Sequence, residues 1–324
     1  MSANDILLRD GFLPPPVRAR LAAAFIVHDW PAASDAQEKF LAAHGKNIGA
    51  MMTTGHAGAD GAMMDELPGL KLIACYGVGY DGIDVAAASA RGVWVSNTPD
   101  VLNDDVADLA LALMLAAVRR LPAAERYVRE NQWRARGDFA LTDRLTGKRL
   151  GMLGMGRIGA AIVKRALAFD MRIAYHATQP KPQSPHQWAD SAAALAEWCD
   201  ILCVAMPATA QTVGMVNAAV LRALGPRGYL VNIARGSLVD EAALIAALRD
   251  GVIKGAALDV FADEPHVPQE LREFDNVVLS PHQGSATVHT RHRMAEVVAD
   301  NIEAVLQDGE PVTAVNEPRV SSAN

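Results

Sequence analysis

Short apolar runs alternate with amphipathic segments along almost the whole chain. Ten runs have this character, and they lie at 5–8, 48–53, 70–77, 92–97, 148–154, 171–176, 200–207, 228–234, 254–260 and 276–282. Runs that are apolar almost throughout are typical of parallel strands covered by helices on both faces. The pattern therefore predicts an α/β protein with two doubly wound parallel-sheet domains.

A strongly apolar segment separates the first four runs from the last six. It follows Pro99, opens with Asn103, Asp104 and Asp105, and continues to about residue 120. Asn and Asp favour a helix start, because their side chains satisfy free amides and their charge suits the helix dipole. We expect a helix over about 102–120 that is apolar nearly all round and hence buried, with a subunit contact as one option.

The last amphipathic segment, beginning "SATVHTRHRM", predicts a helix that follows the final strand and returns to the first domain. The expected domains are therefore a discontinuous one, 1–99 with 286–324, and an inserted one, 100–285. The stretch "QPKPQSPHQ" at 179–187 is rich in proline and is expected to form a surface loop.

Composition narrows the class of protein. A chain of 324 residues with 51% hydrophobic and 21% charged residues suits two globular domains, and a net charge of −7 disfavours nucleic acid as a partner. The start lacks signal-peptide features, and the longest apolar run, Leu109–Val118, is too short to span a bilayer. Cys75, Cys199 and Cys203 are expected to be apolar filler rather than metal ligands. We therefore expect a cytoplasmic enzyme without a metal site.

The stretch "GMGRIG" has the glycine spacing of a dinucleotide-binding turn. Gly154, Gly156 and Gly159 follow a predicted strand and open a predicted helix, which is the context that this motif requires. The glycines permit a tight turn, close approach to a pyrophosphate and close helix–strand packing. The chain therefore predicts a nicotinamide dinucleotide site, with an unliganded strand–helix turn as the alternative.

The residues after the next strand bear on the choice of cofactor. An NAD site usually has an Asp or Glu there for the ribose 2′-hydroxyl, but residues 171–189 contain no acid. His176, Thr178, Gln179 and Lys181 instead offer donors and a cation, which suit a 2′-phosphate. We expect a preference for NADPH; the alternative is an ordinary loop with NADH bound less tightly.

A reactive side chain follows each of the last three predicted strands. Arg235 lies in "NIARGS", Glu264 in "VFADEP" and His282 in "LSPHQGS". Ligands of open α/β sheets bind at the carboxyl ends of the strands, so the three side chains are expected to meet there. Reduction of a 2-keto acid needs such a set: a cation for the carboxylate and ketone, a proton donor, and a carboxylate that orients the donor.

Motifs along nearly the whole chain resemble those of the D-isomer-specific 2-hydroxyacid dehydrogenase family. They are "YGVGYDGID", "VSNTPDVLNDDVADLAL", "LGMGRIG", "VNIARGSLVDE", "ALDVFADEP" and "LSPHQGSAT". "GDFALTDRLTGKRLG" adds similarity to the NADPH-dependent glyoxylate/hydroxypyruvate and hydroxyphenylpyruvate reductase branch. The resemblance implies a flavodoxin-like substrate domain and a Rossmann NAD(P)-binding domain.

The resemblance also implies a role for each member of the catalytic set. His282 would donate the proton, Glu264 would orient His282, and Arg235 would orient the substrate. The amides of Val78 and Gly79 would bind the substrate carboxylate together with Arg235, and a glycine-flanked turn after a strand suits an anion.

The same resemblance implies which residues contact the pyrophosphate, the 2′-phosphate and the nicotinamide of the cofactor. They are Gly154, Met155, Gly156, Arg157 and Ile158 for the pyrophosphate; Ala177, Thr178 and Gln179 for the 2′-phosphate; Ile233 along the nicotinamide ring; and Asp259 for its carboxamide. Similar reductases often have an arginine at the 2′-phosphate position. This chain has none at 177–179, which implies a weaker preference for NADPH than theirs.

The expected activity is NADPH-dependent reduction of glyoxylate or hydroxypyruvate to a D-2-hydroxy acid. Phenylpyruvate-like acids and 2-ketogluconate remain alternative substrates, and an NAD(P)-sensing corepressor or scaffold without turnover is an alternative of another class. The resemblance implies a homodimer in which the arm after the long helix contacts the other subunit. Trp133 in that arm either reaches the partner's active site or packs locally.

Overall fold

A computed structural model describes residues 4–307 and 309–318 of the chain. The chain divides into two compact units, Met1–Leu102 with Thr287–Asn324, and Asn103–Ala286. It therefore leaves the first unit after residue 102 and returns to it after residue 286. The boundaries expected from the sequence lie after residues 99 and 285.

Strands and helices alternate in both units. The strands are β1 Asp5–Leu8, β2 Val27–Asp29, β3 Ile48–Thr53, β4 Leu72–Cys75, β5 Trp94–Ser96, β6 Arg149–Leu153, β7 Arg172–His176, β8 Gln187–Trp188, β9 Ile201–Val204, β10 Tyr229–Asn232, β11 Gly255–Leu258 and β12 Val277–Leu279. The α-helices are α1 Pro15–Ala22, α2 Ser34–His44, α3 Gly61–Asp65, α4 Val85–Ala90, α5 Asn103–Val118, α6 Leu121–Arg129, α7 Gln132–Arg136, α8 Arg157–Ala166, α9 Ala192–Trp198, α10 Ala218–Leu224, α11 Glu241–Arg249, α12 Gln269–Glu273 and α13 Val288–Leu306.

The first unit contains a five-stranded parallel sheet in the order β2-β1-β3-β4-β5. This is the strand order of flavodoxin-like folds. All residues of β3 and β4 are buried, as a parallel sheet covered on both faces requires. The chain that follows α13 returns to the sheet, where the Asn316 side chain accepts a hydrogen bond from the Val95 amide at 2.7 Å.

The second unit contains a seven-stranded parallel sheet in the order β12-β11-β10-β9-β6-β7-β8. Read from β6 outward, the order reverses between β6 and β9, as in the Rossmann fold. Such a reversal opens a crevice at the carboxyl ends of these strands, where ligands of this fold bind. The predicted fold class, two doubly wound parallel-sheet domains, is confirmed.

The long apolar helix predicted for 102–120 is α5. Eight of its 16 residues are buried, and it packs against α8 and the strands β10, β11 and β12. Asp104 and Asp105 lie in its first turn, as expected. Arg165 of α8 forms ion pairs with Asp104, at 3.0 Å, and with Asp108. Within residues 4–307 and 309–318, every helix is too short or too polar to cross a membrane.

Two strands, β2 and β8, are not among those predicted from the sequence. Both are sheet-edge strands of three and two residues, and their side chains are half-buried or exposed. Apolar periodicity cannot reveal strands this short, because they bury too few side chains to leave a pattern. The proline-rich loop predicted for 179–187 ends in the first residue of β8.

Candidate active site

The glycine-rich turn joins β6 to α8 at the point where the strand order reverses. Gly154 has a φ of +100°, and a Cβ there would lie 2.5 Å from the Ala205 carbonyl oxygen, so a side chain does not fit. A Cβ at Gly159 would lie 2.5 Å from the Gly154 oxygen, so α8 packs closely on the turn. A Cβ at Gly156 would meet nothing within 4 Å. The turn is therefore closed toward the protein and open at Gly156.

The N-terminus of α8 provides the charge that a pyrophosphate needs. Gly156 is the N-cap, no side chain caps the helix, and its first turn contains no acidic residue. The first amides of a helix, here including those of Ile158 and Gly159, have no partner within the helix, and the helix dipole is positive at this end. The open glycine and these amides fit the diphosphate of a dinucleotide.

The loop that follows β7 is tied back to the sheet by side chains. The His176 ring is 2.9 Å from the Ala189 carbonyl oxygen, the Trp188 indole donates to the Ala177 carbonyl at 3.2 Å, and the Lys181 amide donates to the Tyr175 hydroxyl at 2.7 Å. The expected 2′-phosphate residues Thr178 and Gln179 are exposed at the tip of this loop, and Ala177 is half-buried. The loop is therefore anchored, and its exposed tip carries donors and no carboxylate.

His282 and Glu264 form a direct pair. The His282 Nδ1 atom lies 2.7 Å from Oε2 of Glu264, and the other oxygen of Glu264 accepts from the Phe261 amide at 3.0 Å. The Glu264 side chain is 21% exposed and that of His282 46% exposed, so the acid is held while the ring faces solvent. A carboxylate on Nδ1 fixes the tautomer that leaves Nε2 for a substrate.

Arg235 follows β10 and enters a short 3-10 turn, Gly236–Leu238. The Asn232 side chain holds this turn, because its amide group donates to the Arg235 carbonyl at 2.8 Å and its oxygen accepts from Ala234 at 3.1 Å. A Cβ at Gly236 would lie 1.9 Å from the Phe261 carbonyl carbon. The Arg235 turn and the Glu264 turn therefore pack against each other, and the three predicted catalytic residues follow three neighbouring strands.

Asp259 fixes the loop that carries His282. Its side chain is almost fully buried, and its two oxygens accept hydrogen bonds from the amides of Gln283 at 2.7 Å and Gly284 at 2.9 Å. Burial raises the pKa of Asp259, while the bonds from Ser280, Gln283 and Gly284 oppose that rise. His282 itself has a φ of 53°, and its amide donates to the Asp259 carbonyl at 2.9 Å. The resemblance implies that Asp259 contacts the nicotinamide carboxamide, and its role in fixing this loop was not predicted.

This network yields a prediction for Asp259→Asn. The new amide group would face a backbone N–H, so one buried donor loses its acceptor at a cost of about 1–3 kcal/mol in the free energy of unfolding. We expect kcat to fall by up to about 100-fold, because displaced catalytic groups lose near-attack geometry. Thermal unfolding and steady-state kinetics measure both effects. Asp263→Asn, at an exposed acid of the neighbouring turn, is the control; wild-type kcat and stability in Asp259→Asn would contradict the role.

Two further expected site residues lie in the first unit, in the turn after β4. The Val78 carbonyl accepts from the Asn97 side chain at 3.0 Å, and the Gly79 carbonyl lies 3.5 Å from the Cys75 sulfur. No hydrogen bond to the amides of Val78 or Gly79 occurs among the described residues. The turn therefore holds its carbonyls, and the binding of a substrate carboxylate by its two amides stays a prediction.

The remaining predicted positions lie in the second unit. Met155 and Ile233 are buried, the first in the glycine turn and the second directly after β10. Trp133 lies in α7 with 61% of its surface exposed, and its indole nitrogen is 3.3 Å from the Asp138 carboxylate. Most of the Trp133 side chain is therefore not covered by neighbouring residues of the same chain.

Comparison with known proteins identifies relatives of this chain. A family profile described as "D-isomer specific 2-hydroxyacid dehydrogenase, NAD binding domain" matches residues 111–284. The chain is 47% identical over 269 residues to hydroxyphenylpyruvate reductase of Plectranthus scutellarioides, covering 83% of this chain and 86% of that one. It is 48% identical over 264 residues to glyoxylate/hydroxypyruvate reductase A HPR2 of Arabidopsis thaliana, covering 82% and 84% of the two chains.

A solved structure resembles the whole chain. It is the NADPH-dependent glyoxylate/hydroxypyruvate reductase of Sinorhizobium meliloti in complex with NADP and malonate, with 41% sequence identity. The likeness has a TM-score of 0.87 and covers 96% of this chain and 97% of that one. The resemblance stated from the motifs is thereby confirmed.

Proposed function

The chain belongs to the D-isomer-specific 2-hydroxyacid dehydrogenase family, and we propose that it reduces glyoxylate or hydroxypyruvate to the D-2-hydroxy acid with NADPH as the preferred reductant. It is an NAD(P)-dependent oxidoreductase, as its family and relatives are. The single observation that carries the proposed reaction is the 2.7 Å pair between His282 and Glu264, whose Glu264 turn packs against the Arg235 turn.

The residues of the second unit fit a nicotinamide dinucleotide. The open turn at Gly156 and the first amides of α8 would hold its pyrophosphate, with Met155, Arg157 and Ile158 around it. The proposed nicotinamide contacts are Ile233, along the ring, and Asp259, at the carboxamide. When bound, the cofactor supplies a hydride to the keto carbon; the protein supplies position and charge.

Each catalytic side chain then has one task. The Arg235 guanidinium offers a planar fork that can bind the substrate carboxylate and polarise the ketone. Nε2 of His282 gives its proton to the forming alkoxide, and Glu264 holds Nδ1 so that Nε2 keeps this role. The free amides of Val78 and Gly79 are proposed to bind the same carboxylate.

A keto-acid panel tests this function. We expect kcat/KM with NADPH to be highest for glyoxylate or hydroxypyruvate, and lower for 2-ketogluconate. Hydroxyphenylpyruvate is a second candidate substrate, favoured by the 47% identity to the Plectranthus enzyme. A higher kcat/KM for that aromatic acid would replace the main proposal, and absence of NADPH oxidation with every acid would overturn both.

The NADPH preference rests on the loop after β7, which carries donors and no carboxylate between residues 171 and 189. The complex of the S. meliloti relative with NADP supports the same choice. We expect Thr178→Asp to lower kcat/KM for NADPH roughly tenfold or more, because a carboxylate repels the 2′-phosphate. NADH should be used equally well or better, since the carboxylate can accept from the ribose 2′-hydroxyl.

Thr178→Asn is the matched control, because it has the same shape without the charge. Fluorescence titration should give the Kd of each enzyme for NADPH and for NADH. The ratio of the two Kd values should change on Thr178→Asp by the same factor as the ratio of the two kcat/KM values. Two results would exclude Thr178 as a 2′-phosphate contact. One is a wild-type enzyme that prefers NADH, and the other is a Thr178→Asp enzyme that keeps the wild-type preference for NADPH.

We also propose a homodimer formed through the arm at 119–144. Within this arm Leu121, Val128, Trp133 and Leu141 are large apolar side chains that are at least half exposed, Leu141 completely. A group of exposed apolar side chains on one segment marks a protein contact.

The dimer prediction concerns Leu141→Glu. A buried carboxylate at the contact would be costly, so we expect the mass measured by light scattering to fall from that of a dimer toward that of a monomer. Leu167→Glu is the control, because Leu167 is 48% exposed outside the arm. A dimeric Leu141→Glu protein, or a monomeric wild type, would refute this contact.

The cytoplasmic location remains a prediction. It is supported by the cysteines Cys75, Cys199 and Cys203, which are all free and buried. Burial also raises the pKa of the Cys199 and Cys203 thiols to about 12, so neither is a reactive thiolate at neutral pH.

A further inference from the structure

The carbonyl groups of the turn after β4 are held by the segment that follows β5. The Thr98 amide donates to the Gly77 carbonyl at 2.9 Å. The Asn97 side chain donates to the Val78 carbonyl at 3.0 Å. In a trans peptide, the N–H of one residue points away from the C=O of the residue before it. The bond to Gly77 therefore directs the Val78 amide, and the bond to Val78 directs the Gly79 amide.

Asn97 is fixed in turn by Thr313, in the tail that follows α13. The Asn97 amide donates to the Thr313 carbonyl at 3.3 Å, and the Thr313 hydroxyl donates to the Asn97 carbonyl at 2.6 Å. Two residues further along the tail, the Val315 amide donates to the Val95 carbonyl at 2.7 Å. The tail therefore pairs antiparallel with β5, the last strand of its sheet, and Thr313 holds both backbone polar groups of Asn97.

A buried asparagine of α13 fixes the position of Thr313. Asn301 is fully buried, and its side-chain oxygen accepts from the Thr313 amide at 2.9 Å. Its amide group donates to the Thr313 hydroxyl at 2.9 Å and to the Val297 carbonyl at 2.7 Å. A buried polar network with its hydrogen bonds made is rigid, because each broken bond leaves a desolvated group without a partner. The network runs from α13, through Thr313 and Asn97, to the turn after β4.

We propose that Asn97 and Thr313 are positioning residues, which orient the Gly79 amide toward the carboxylate of the substrate. This inference rests on the proposed keto-acid reaction, in which the amides of Val78 and Gly79 bind that carboxylate. The carboxylate is present both in the bound keto acid and in the transition state, so misdirected amides weaken the binding of both equally. A change in this network should therefore raise the KM of the keto acid and leave kcat nearly unchanged.

Steady-state kinetics of the full-length protein with glyoxylate and NADPH test this role. In Asn97→Asp a carboxylate oxygen replaces the donor that faces the Val78 carbonyl. We expect the KM of glyoxylate to rise about tenfold or more, as for the loss of a hydrogen bond to a charged group. Thr313→Val keeps the shape of the side chain without its hydroxyl, and should raise this KM about threefold, as for one neutral hydrogen bond. Thr313→Ser keeps the hydroxyl and should retain the wild-type KM.

Asn316→Ala is the matched control, because Asn316 also ties the tail to the first unit. Its side chain accepts from the Val95 amide at 2.7 Å, and donates to the Ser89 hydroxyl at 2.8 Å and to the Val93 carbonyl at 3.0 Å. None of these three bonds reaches the turn after β4. We expect Asn316→Ala to lower the midpoint of thermal unfolding at least as much as Thr313→Val does, and to leave the KM of glyoxylate at its wild-type value.

Three outcomes would overturn the proposal. One is an unchanged KM in both Asn97→Asp and Thr313→Val although the wild type reduces glyoxylate, which leaves the proposed function standing. Another is an equal rise in KM for Asn316→Ala, which would mean a general loosening of the first unit. The third is no oxidation of NADPH by the wild type with any keto acid, which would overturn the proposed function as well. If Asn97→Asp does not fold, Asn97→Ala removes the same bond without adding a charge and should still raise the KM severalfold.

Discussion

Replacement of His282 by alanine is expected to lower kcat for 2-keto acid reduction by about 10²–10⁴-fold, the range of a general acid–base group. The reason is geometric, since Nδ1 of His282 is bound to Glu264 at 2.7 Å and no described residue bonds Nε2. The forming alkoxide would then take its proton from water. The Kd for NADPH should stay close to that of wild type, because the glycine turn and α8 are unchanged.

His266→Ala is the matched control for this experiment. His266 also lies near an acid, with Nδ1 3.6 Å from Asp263, but both side chains are more than 80% exposed. Its loss should leave kcat unchanged. Turnover of His282→Ala at the wild-type rate, or an equal loss in both variants, would remove His282 from the role of proton donor.

Replacement of Arg235 by methionine is expected to lower kcat/KM for the keto acid by about 10²–10³-fold, comparable to the loss of one transition-state donor. Methionine keeps the length and apolar stem but removes the charge and the planar fork. The KM of the keto acid should rise as kcat falls, because the same group binds the carboxylate and polarises the ketone. NADPH binding should change little.

Two comparisons isolate the fork. Arg235→Lys keeps a charge without bidentate geometry, and should recover only part of kcat/KM. Arg249→Met removes an exposed arginine from the last turn of α11 and should have no effect. An Arg235→Met enzyme with unchanged KM and kcat would show that another group holds the substrate.

The sequence was sufficient to predict the features that repeat or that carry reactive groups. Apolar runs revealed the strands that bury every residue, such as β3 and β9. Glycine spacing revealed the turn at Gly154, because its positive φ and the nearby Ala205 carbonyl leave no room for a side chain there. The placement of Arg235, Glu264 and His282 at one edge was predictable, because each follows a strand of one parallel sheet and such strands end at one edge.

Features that depend on tertiary contacts were not predictable. Asp259 binds amides 24 and 25 residues later in the chain, and no local pattern encodes such a pairing. The role of Asn232 left a usable signal, because Asn at the end of a strand often bonds the backbone two residues later.

The most direct test of the central claim is the product formed from hydroxypyruvate and NADPH deuterated at the transferred position. The proposed reaction predicts D-glycerate with one deuterium at C2 and one NADPH consumed per molecule. L-Glycerate, glycerate without deuterium at C2, or no oxidation of NADPH would contradict it.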